Sequence, residues 1–239
     1  MELRKYFKWG GVSSKDLGVF LARQTIRPAP TRNIENIIVP GRNGDLKIDQ
    51  TTYKNVKMVY VCSIAKKDIQ IQDAARSLRE WLMADGGYKK LVDDYTPDFY
   101  QMASFTGPQE IARALRDYGT AEIEFDCKPQ LFLLAGEQIM CFATPGSIYN
   151  PTRFIALPNI RVYGNAAGTV SIGNVLVQIK EINEYIDLDC ELEDAFKGVE
   201  NWNSKIYAPL FPYLAPGETG ISWNGGITKI EIKPRWWTL

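Results

Sequence analysis

Asp187, Asp189, Glu191 and Glu193 alternate with Ile186, Leu188, Cys190 and Leu192. In a strand this spacing puts the carboxylates on one face and the apolar side chains on the other. Carboxylate oxygens are what calcium or magnesium needs, but such a cation needs them converging on one point, and neighbours on one strand face stand in a row. A solvated acidic face is therefore expected, with no metal and no cofactor. A glycosidase would need two carboxylates facing each other across a cleft, which linear spacing does not encode. The sequence has no histidine, so a Ser-His-Asp triad, a Cys-His dyad and a His-ligated metal are excluded within it. Cys62, Cys127, Cys141 and Cys190 lie far apart with no CxxC pair, each in a strand-like run. All four are expected to be buried free thiols. No catalytic residue is expected, and the chain is read as not an enzyme.

The C-terminal half is rich in rings: Tyr163, Trp202, Tyr207, Tyr213, Trp223, Trp236 and Trp237. Exposed rings would suit sugar faces and keep a carbohydrate-binding reading open, while cores and edges of β-sandwiches hold aromatics anyway. Gly164-Asn165-Ala166-Ala167-Gly168 lacks the GxxxxGK[ST] spacing of a phosphate loop and has no helix after it, so a hairpin connection is expected there. Phe211-Pro212-Tyr213-Leu214-Ala215-Pro216-Gly217 reads as a structural loop bracketed by prolines.

The elements that must carry these residues are mostly strands. At 239 residues, 45% hydrophobic and 23% charged, the chain is long enough for two folded domains. Its longest apolar run, Leu131 to Ala135, is far too short to span a membrane. The N-terminus lacks the apolar stretch of a secretory signal, so the chain is expected to stay in the cytoplasm where it is made.

Lys5–Trp9 and Val12–Ser14 flank Gly10-Gly11, a hairpin signal. Gly18–Ile26 and Ile34–Val39 read as strands, and Val56, Met58, Tyr60, Cys62 and Ile64 recur every second residue. The period then changes. Ile71, Ala75, Leu78 and Leu82 predict one amphipathic helix over about 70–84, started by Asp68 or Gln70 and ended by Asp85-Gly86-Gly87 in a left-handed cap. Arg76 and Glu80 stand four apart on its polar side. Strands resume around Tyr88–Tyr95, Tyr100–Phe105 and Gly119–Lys128, and the alternation breaks between Pro129 and Gln138. A domain boundary is placed there, giving 1–135 and 136–239. Beyond it, short alternating runs are punctuated by turn signals such as Pro145-Gly146, Gly173-Asn174 and Asn224-Gly225-Gly226, the pattern of a β-sandwich.

Val39-Pro40-Gly41-Arg42-Asn43-Gly44-Asp45-Leu46 is the clearest turn in the chain: Pro40 fixes its own φ, and Gly41 and Gly44 permit positive φ. This stretch resembles the VPGR(D/N)G signature of phage distal tail proteins, the ring-forming hubs of long flexible tails. The ending Lys233-Pro234-Arg235-Trp236-Trp237 resembles the I-x-PRW close of the same family. Further likeness runs through Asn150-Pro151-Thr152, Pro158–Gly164 and Phe211-Pro212. The resemblance implies a mainly β protein of two β-sandwich domains, an N-terminal ring-forming one carrying the single helix and a C-terminal galectin-like one. It implies a structural hub, a hexameric ring joining the tail tube protein to tail-associated tip and host-recognition proteins. DNA would pass through it only in transit, and its place would be the virion tail tip after assembly in the host cytoplasm. Pro40, Gly41, Arg42, Gly44, Pro234, Arg235 and Trp236 would then have structural or assembly roles. A lectin-like host-adsorption module and a carboxylate-dependent hydrolase are the alternatives.

Net charge is zero but unevenly spread. Residues 1–67 carry 13 basic against 5 acidic side chains, and residues 68–138 carry 7 against 13. Folding could simply mix these charges, or the two stretches could form complementary faces between copies in an oligomer. A DNA-binding domain would keep a basic balance, which this chain does not.

Overall fold

A computed structural model describes residues 4–64, 71–107, 111–115 and 118–239. The chain divides into two compact units, Met1–Leu131 together with Leu239, and Phe132–Thr238. Each has its own hydrophobic core, and the protein is mainly β with β-sandwich character.

In the first unit, antiparallel strands follow the order Val12–Ser13, Phe7–Trp9, Lys89–Asp93, Phe99–Ser104, Tyr118–Leu133, Val56–Ile64, Val19–Leu21. The strand Val56–Ile64 forms as its alternation predicts, with Val56, Met58, Tyr60, Cys62 and Ile64 buried. Its partner lays Ala121, Ile123, Phe125 and Cys127 on the same core. The sheet curls until its ends meet at Ser14. The buried Ser14 hydroxyl accepts the Phe7 N–H at 3.2 Å and donates to the Val19 carbonyl at 2.9 Å, while Leu21 N–H reaches the Lys5 carbonyl at 2.8 Å. Gly10 and Gly11, both at positive φ, make the tight turn expected between the first two strands.

One α-helix is present among the described residues, Ile71–Met83. Its buried stripe of Ala74, Leu78 and Leu82 belongs to the core that holds Phe7, Trp9, Tyr60 and Phe125. Trp81 stacks on Phe7 at 5.8 Å. Two local expectations change, and a third is not covered. The starters Asp68 and Gln70 lie outside the described residues. Arg76 pairs with Asp73 at 3.5 Å, the carboxylate one turn back. Gly86 and Gly87 are not left-handed. The Asp85 carboxylate instead accepts the Gly87 N–H at 2.8 Å, so a side chain closes the turn that a glycine conformation was expected to close.

Strand limits shift too. Gly18–Ile26 contributes only Val19–Leu21 as a strand, although the Ala22 N–H still reaches the Val61 carbonyl at 2.9 Å. Beyond Cys127 the strand does not break at Pro129 but runs on to Leu133. Among the described residues, the strands Arg32–Ile37 and Leu46–Tyr53 pair only with each other and form a ribbon apart from the sheet.

The second unit is organised by two long strands, Asn159–Ile172 and Gly217–Lys233, paired antiparallel along most of their length. Their first and second halves serve different layers. Residues 159–164 pair with Glu184–Asp189, and residues 168–172 pair with Val175–Ile179. The change falls at Gly164 to Gly168 and at Gly225 and Gly226, where the register shifts. Gly164–Gly168 is therefore not a hairpin connection, and Asn224–Gly226 is not a turn: both are bends inside continuous strands. The physical reason is close backbone approach. A Cβ at Gly225 would lie 2.5 Å from the Ala167 carbonyl oxygen, and one at Gly226 would lie 2.7 Å from the Ala166 nitrogen. Glycine reads as a turn in sequence, yet it also marks a strand crossing closely over another.

Candidate functional site

The ribbon tip holds the first signature. Pro40, Gly41, Arg42 and Gly44 are all exposed. Gly41 at φ 78° and Gly44 at φ 81° supply the left-handed positions, and the Arg42 N–H closes a turn on the Val39 carbonyl at 3.2 Å. A Cβ on either glycine would meet nothing, so their requirement is conformational and not steric. The ribbon is braced by Arg32 to Asp49 at 2.9 Å and by Asn33 to Thr52 at 2.8 Å. Register places Ile37 opposite Leu46 and Glu35 opposite Ile48. One face therefore gathers Ile37, Leu46 and Ile48, each exposed within the chain.

The second signature closes the C-terminal unit. Pro234 and Trp236 are buried, and Arg235 sits between them at φ 56°. Its guanidinium grips Asp189 with two bonds of 2.7 Å and approaches Glu191 at 3.6 Å. Its N–H reaches the Gly136 carbonyl at 2.9 Å. A side chain at Gly136 would press within 2.5 Å of the Trp236 nitrogen. These contacts hold residues 234–236 against their own unit.

The acidic row does not form as expected. Strand alternation ends at Asp189, and residues 190–193 turn. Asp187 and Asp189 are buried, each forked by an arginine; Arg161 bonds Asp187 at 2.7 and 2.9 Å. Leu192 is 72% exposed, so the apolar face also stops short. Burial pushes the Asp189 carboxyl up, yet the bonds and charge of Arg235, with the Glu191 and Leu192 N–H groups, outweigh it and hold the pKa below its ordinary value. Unpaired buried carboxylates are costly, so the arginines found elsewhere in the chain decide the outcome. No cluster of three metal-ligating acidic, cysteine or histidine side chains occurs among the described residues.

Cys62, Cys127 and Cys190 are buried, and burial pushes the first two thiols up to about 12 and the third higher still. Cys141 is exposed, against expectation. It lies on the Met140–Phe142 strand, where Met140 and Phe142 face the core and the residue between them faces out.

The aromatic residues divide. Trp236 is buried, Trp202 and Trp223 pack on the core, and Trp237 stacks on Phe154 at 4.4 Å. Tyr163 donates to Glu231 at 2.8 Å beneath the Lys229 ammonium. Tyr213 lines an open groove of about 710 Å³ with Asn174, Glu218, Gly146 and Gly220. In the first unit a smaller cavity of about 250 Å³ is lined by Arg27, Tyr60, Asp93, Tyr95 and Gln101. Neither Ser14 nor Arg27 stood out in the sequence, because a single serine or arginine in a loop-like run carries no pattern. Gly136 stood only as part of the boundary segment.

Residues 13–127, within the first unit, match the model of the phage tail protein RIFT-related domain. The whole chain shares its fold with a solved phage distal tail protein. That structure is the Dit protein of phage SPP1, titled a paradigm of the hub adsorption apparatus in phages infecting Gram-positive bacteria. The match covers 98% of this chain and 99% of that one, with a TM-score of 0.73 and 9% identity. No curated protein matches the sequence. The chain thus shares the fold of that phage hub protein, and residues 13–127 are similar to a phage tail protein domain.

Proposed function

We propose that this chain is a structural hub of a phage tail tip, in which copies form a ring, six in number by the family resemblance. The ring would join the tail tube to tail-associated tip proteins and leave a channel for DNA in transit. The observation that carries this reading is the ribbon Arg32–Ile37 with Leu46–Tyr53. Among the described residues it pairs with no other strand, and it leaves Ile37, Leu46 and Ile48 open on one face. A lone two-stranded ribbon is marginal in water, so its apolar face needs cover that a neighbouring copy can supply. A ring requires a heterologous contact of this kind, one surface of each copy meeting a different surface of the next. In this reading Pro40, Gly41, Arg42 and Gly44 shape the ribbon tip for assembly. Pro234, Arg235 and Trp236 serve indirectly by fixing the second unit. Residues 1–135 build the ring and residues 136–239 form a galectin-like domain, with assembly in the host cytoplasm and residence in the virion tail tip.

The test is light scattering with negative-stain imaging of the full chain and of a variant whose residues 33–52 are replaced by a short glycine turn. Lys54 N–H already bonds the Thr31 carbonyl at 2.8 Å, so the shortened ribbon keeps its base. Rings from the full chain and monomers from the variant are expected. Rings that persist without the ribbon sink this assignment. If the opposed charge of residues 1–67 and 68–138 steers assembly, 1 M salt, where the Debye length is about 3 Å, slows it without abolishing it.

The carbohydrate-binding alternative rests on the groove at Tyr213, where one ring and several polar side chains share an open surface. Calorimetric titration of host cell-wall glycans decides it. Micromolar binding to a defined sugar would favour a lectin module.

A further inference from the structure

We propose that Asn43, at the ribbon tip, is a site of spontaneous modification, where the Gly44 backbone nitrogen attacks the side-chain amide and converts it to an acid. The sequence has two Asn-Gly steps, Asn43-Gly44 and Asn224-Gly225. Glycine in second place leaves the attacking nitrogen unhindered, since it has no Cβ. All four residues are exposed, so access of water does not separate the two steps. Their backbones do.

At the tip nothing holds the reacting groups apart. Asn43 and Gly44 lie in a bend between the strands Arg32–Ile37 and Leu46–Tyr53. The backbone bond that closes the turn runs from the Arg42 N–H to the Val39 carbonyl and stops short of both residues. Among the described residues neither the Asn43 amide nor the Gly44 N–H has a hydrogen-bond partner. A Cβ at Gly44 would meet nothing within 4 Å, so the chain has room to swing this nitrogen onto the amide carbon. At Asn224 the same chemistry is blocked. Asn224 pairs with Thr169 in the long ladder, and its Oδ1 accepts the Thr169 N–H at 3.2 Å. A Cβ at Gly225 would lie 2.7 Å from the Gly168 Cα, so the backbone there cannot turn without unpairing the strands. Modification at Asn224 must wait for local opening, a cost that the tip does not bear.

The reaction needs only water as co-reactant. The Gly44 nitrogen gives its proton to solvent base and bonds the Asn43 Cγ. The bond from Cγ to the side-chain nitrogen breaks, and that nitrogen takes up a proton and leaves as ammonia, closing a cyclic imide. Water then adds to one imide carbonyl and breaks its bond to the Gly44 nitrogen. Opening at Cγ gives aspartate, and opening at the main-chain carbonyl gives isoaspartate, which lengthens the backbone by a methylene group. Either product places a new negative charge two residues from Asp45, and the second also reshapes the turn that Gly41 and Gly44 set. The chemistry lies within one copy. Its effect on assembly rests on the hub reading, in which a tip fixed and covered by a neighbour reacts more slowly and an altered tip fits less well.

Incubate the full chain in mildly alkaline buffer, well below its melting temperature, and follow both Asn-Gly peptides by digestion and mass spectrometry. The readout is the mass change from amide to acid, with aspartate and isoaspartate separated by retention. In the native chain Asn43 should convert at least about tenfold faster than Asn224, a ratio that ~1.4 kcal/mol of barrier supplies. In denaturant the two rates should converge. Asn43→Gln, whose longer side chain closes the imide poorly, should remove the change at the tip. Equal native rates, or an Asn43 that stays an amide in the native chain while the denatured one converts, overturns the proposal. The hub reading is tested apart from this, by separating rings from unassembled copies after incubation. Modified chains should be enriched among the unassembled copies, and an even distribution would count against a tip at the contact while leaving the chemistry of Asn43 standing.

Discussion

Arg235 reaches back to Asp189 through two hydrogen bonds of 2.7 Å while its own backbone occupies the left-handed region at φ 56°. A non-glycine residue keeps such a conformation only when its surroundings fix it. Here the side-chain fork and the N–H bond to Gly136 do so from opposite ends of the residue.

Asp189→Asn is expected to destabilise the second unit by about 2 kcal/mol, since a charge-assisted pair is lost in a buried setting. The pH dependence has a definite sign. The folded carboxyl titrates below its unfolded value of about 3.9, so its contribution is fully present above that pH and is lost as pH falls through the lower, folded value. Calorimetric melts of wild type and variant from neutral pH downward should converge in acid. A gap that stays constant to the acid limit contradicts the pairing.

Ser14→Ala should weaken the first unit by about 1–3 kcal/mol, because the buried Phe7 N–H and Val19 carbonyl lose their shared partner. Urea unfolding followed by far-ultraviolet dichroism measures it. A change within a few tenths of a kcal/mol would show that the curled sheet closes without this hydroxyl.

Gly225→Ala and Gly164→Ala should disrupt the second unit severely, by about 3 kcal/mol or more, since each new Cβ meets opposing backbone that has no room to move. Gly220→Ala is the contrast. Its Cβ would point into open space at ordinary φ, so the change should be neutral or stabilising by about 0.5–1 kcal/mol. Equal behaviour of all three in thermal melts would refute the crossing.

Thiol titration of the native protein near pH 8 should modify Cys141 alone, with all four cysteines reacting after denaturation. Burial pushes the Cys62 and Cys127 thiols up to about 12 and raises Cys190 as well, whereas Cys141 is open to solvent. Mass spectrometry of the labelled protein gives the site. Rapid native labelling of Cys62 would place that strand outside the core.

Strands with one buried face were legible because alternation is local: Val56–Ile64 and the stretch from Ala121 to Cys127 stand as read. The helix was legible through a change of period at Asp68, after which Ile71, Ala75, Leu78 and Leu82 follow helical spacing. Features that rest on distant partners were not. Whether Asp187 and Asp189 face water or an arginine depends on Arg161 and Arg235, which lie 26 and 46 residues away. Whether Gly164 and Gly225 turn the chain or bend it depends on which strand crosses over them. Cys141 was misread because alternation gives two faces and does not say which is the inner one in a strand of three residues.

The long pairing of Asn159–Ile172 with Gly217–Lys233 also has a kinetic consequence. Contacts between segments that far apart in the chain must close a long loop before any bond repays the cost, which slows folding. Both layers of the second unit hang on this one pairing, so neither can complete early and template the other. Refolding of this unit should thus be a single slow phase, in the millisecond-to-second range typical of high-contact-order β proteins, and during synthesis this unit would remain unprotected until the strand Gly217–Lys233 has emerged.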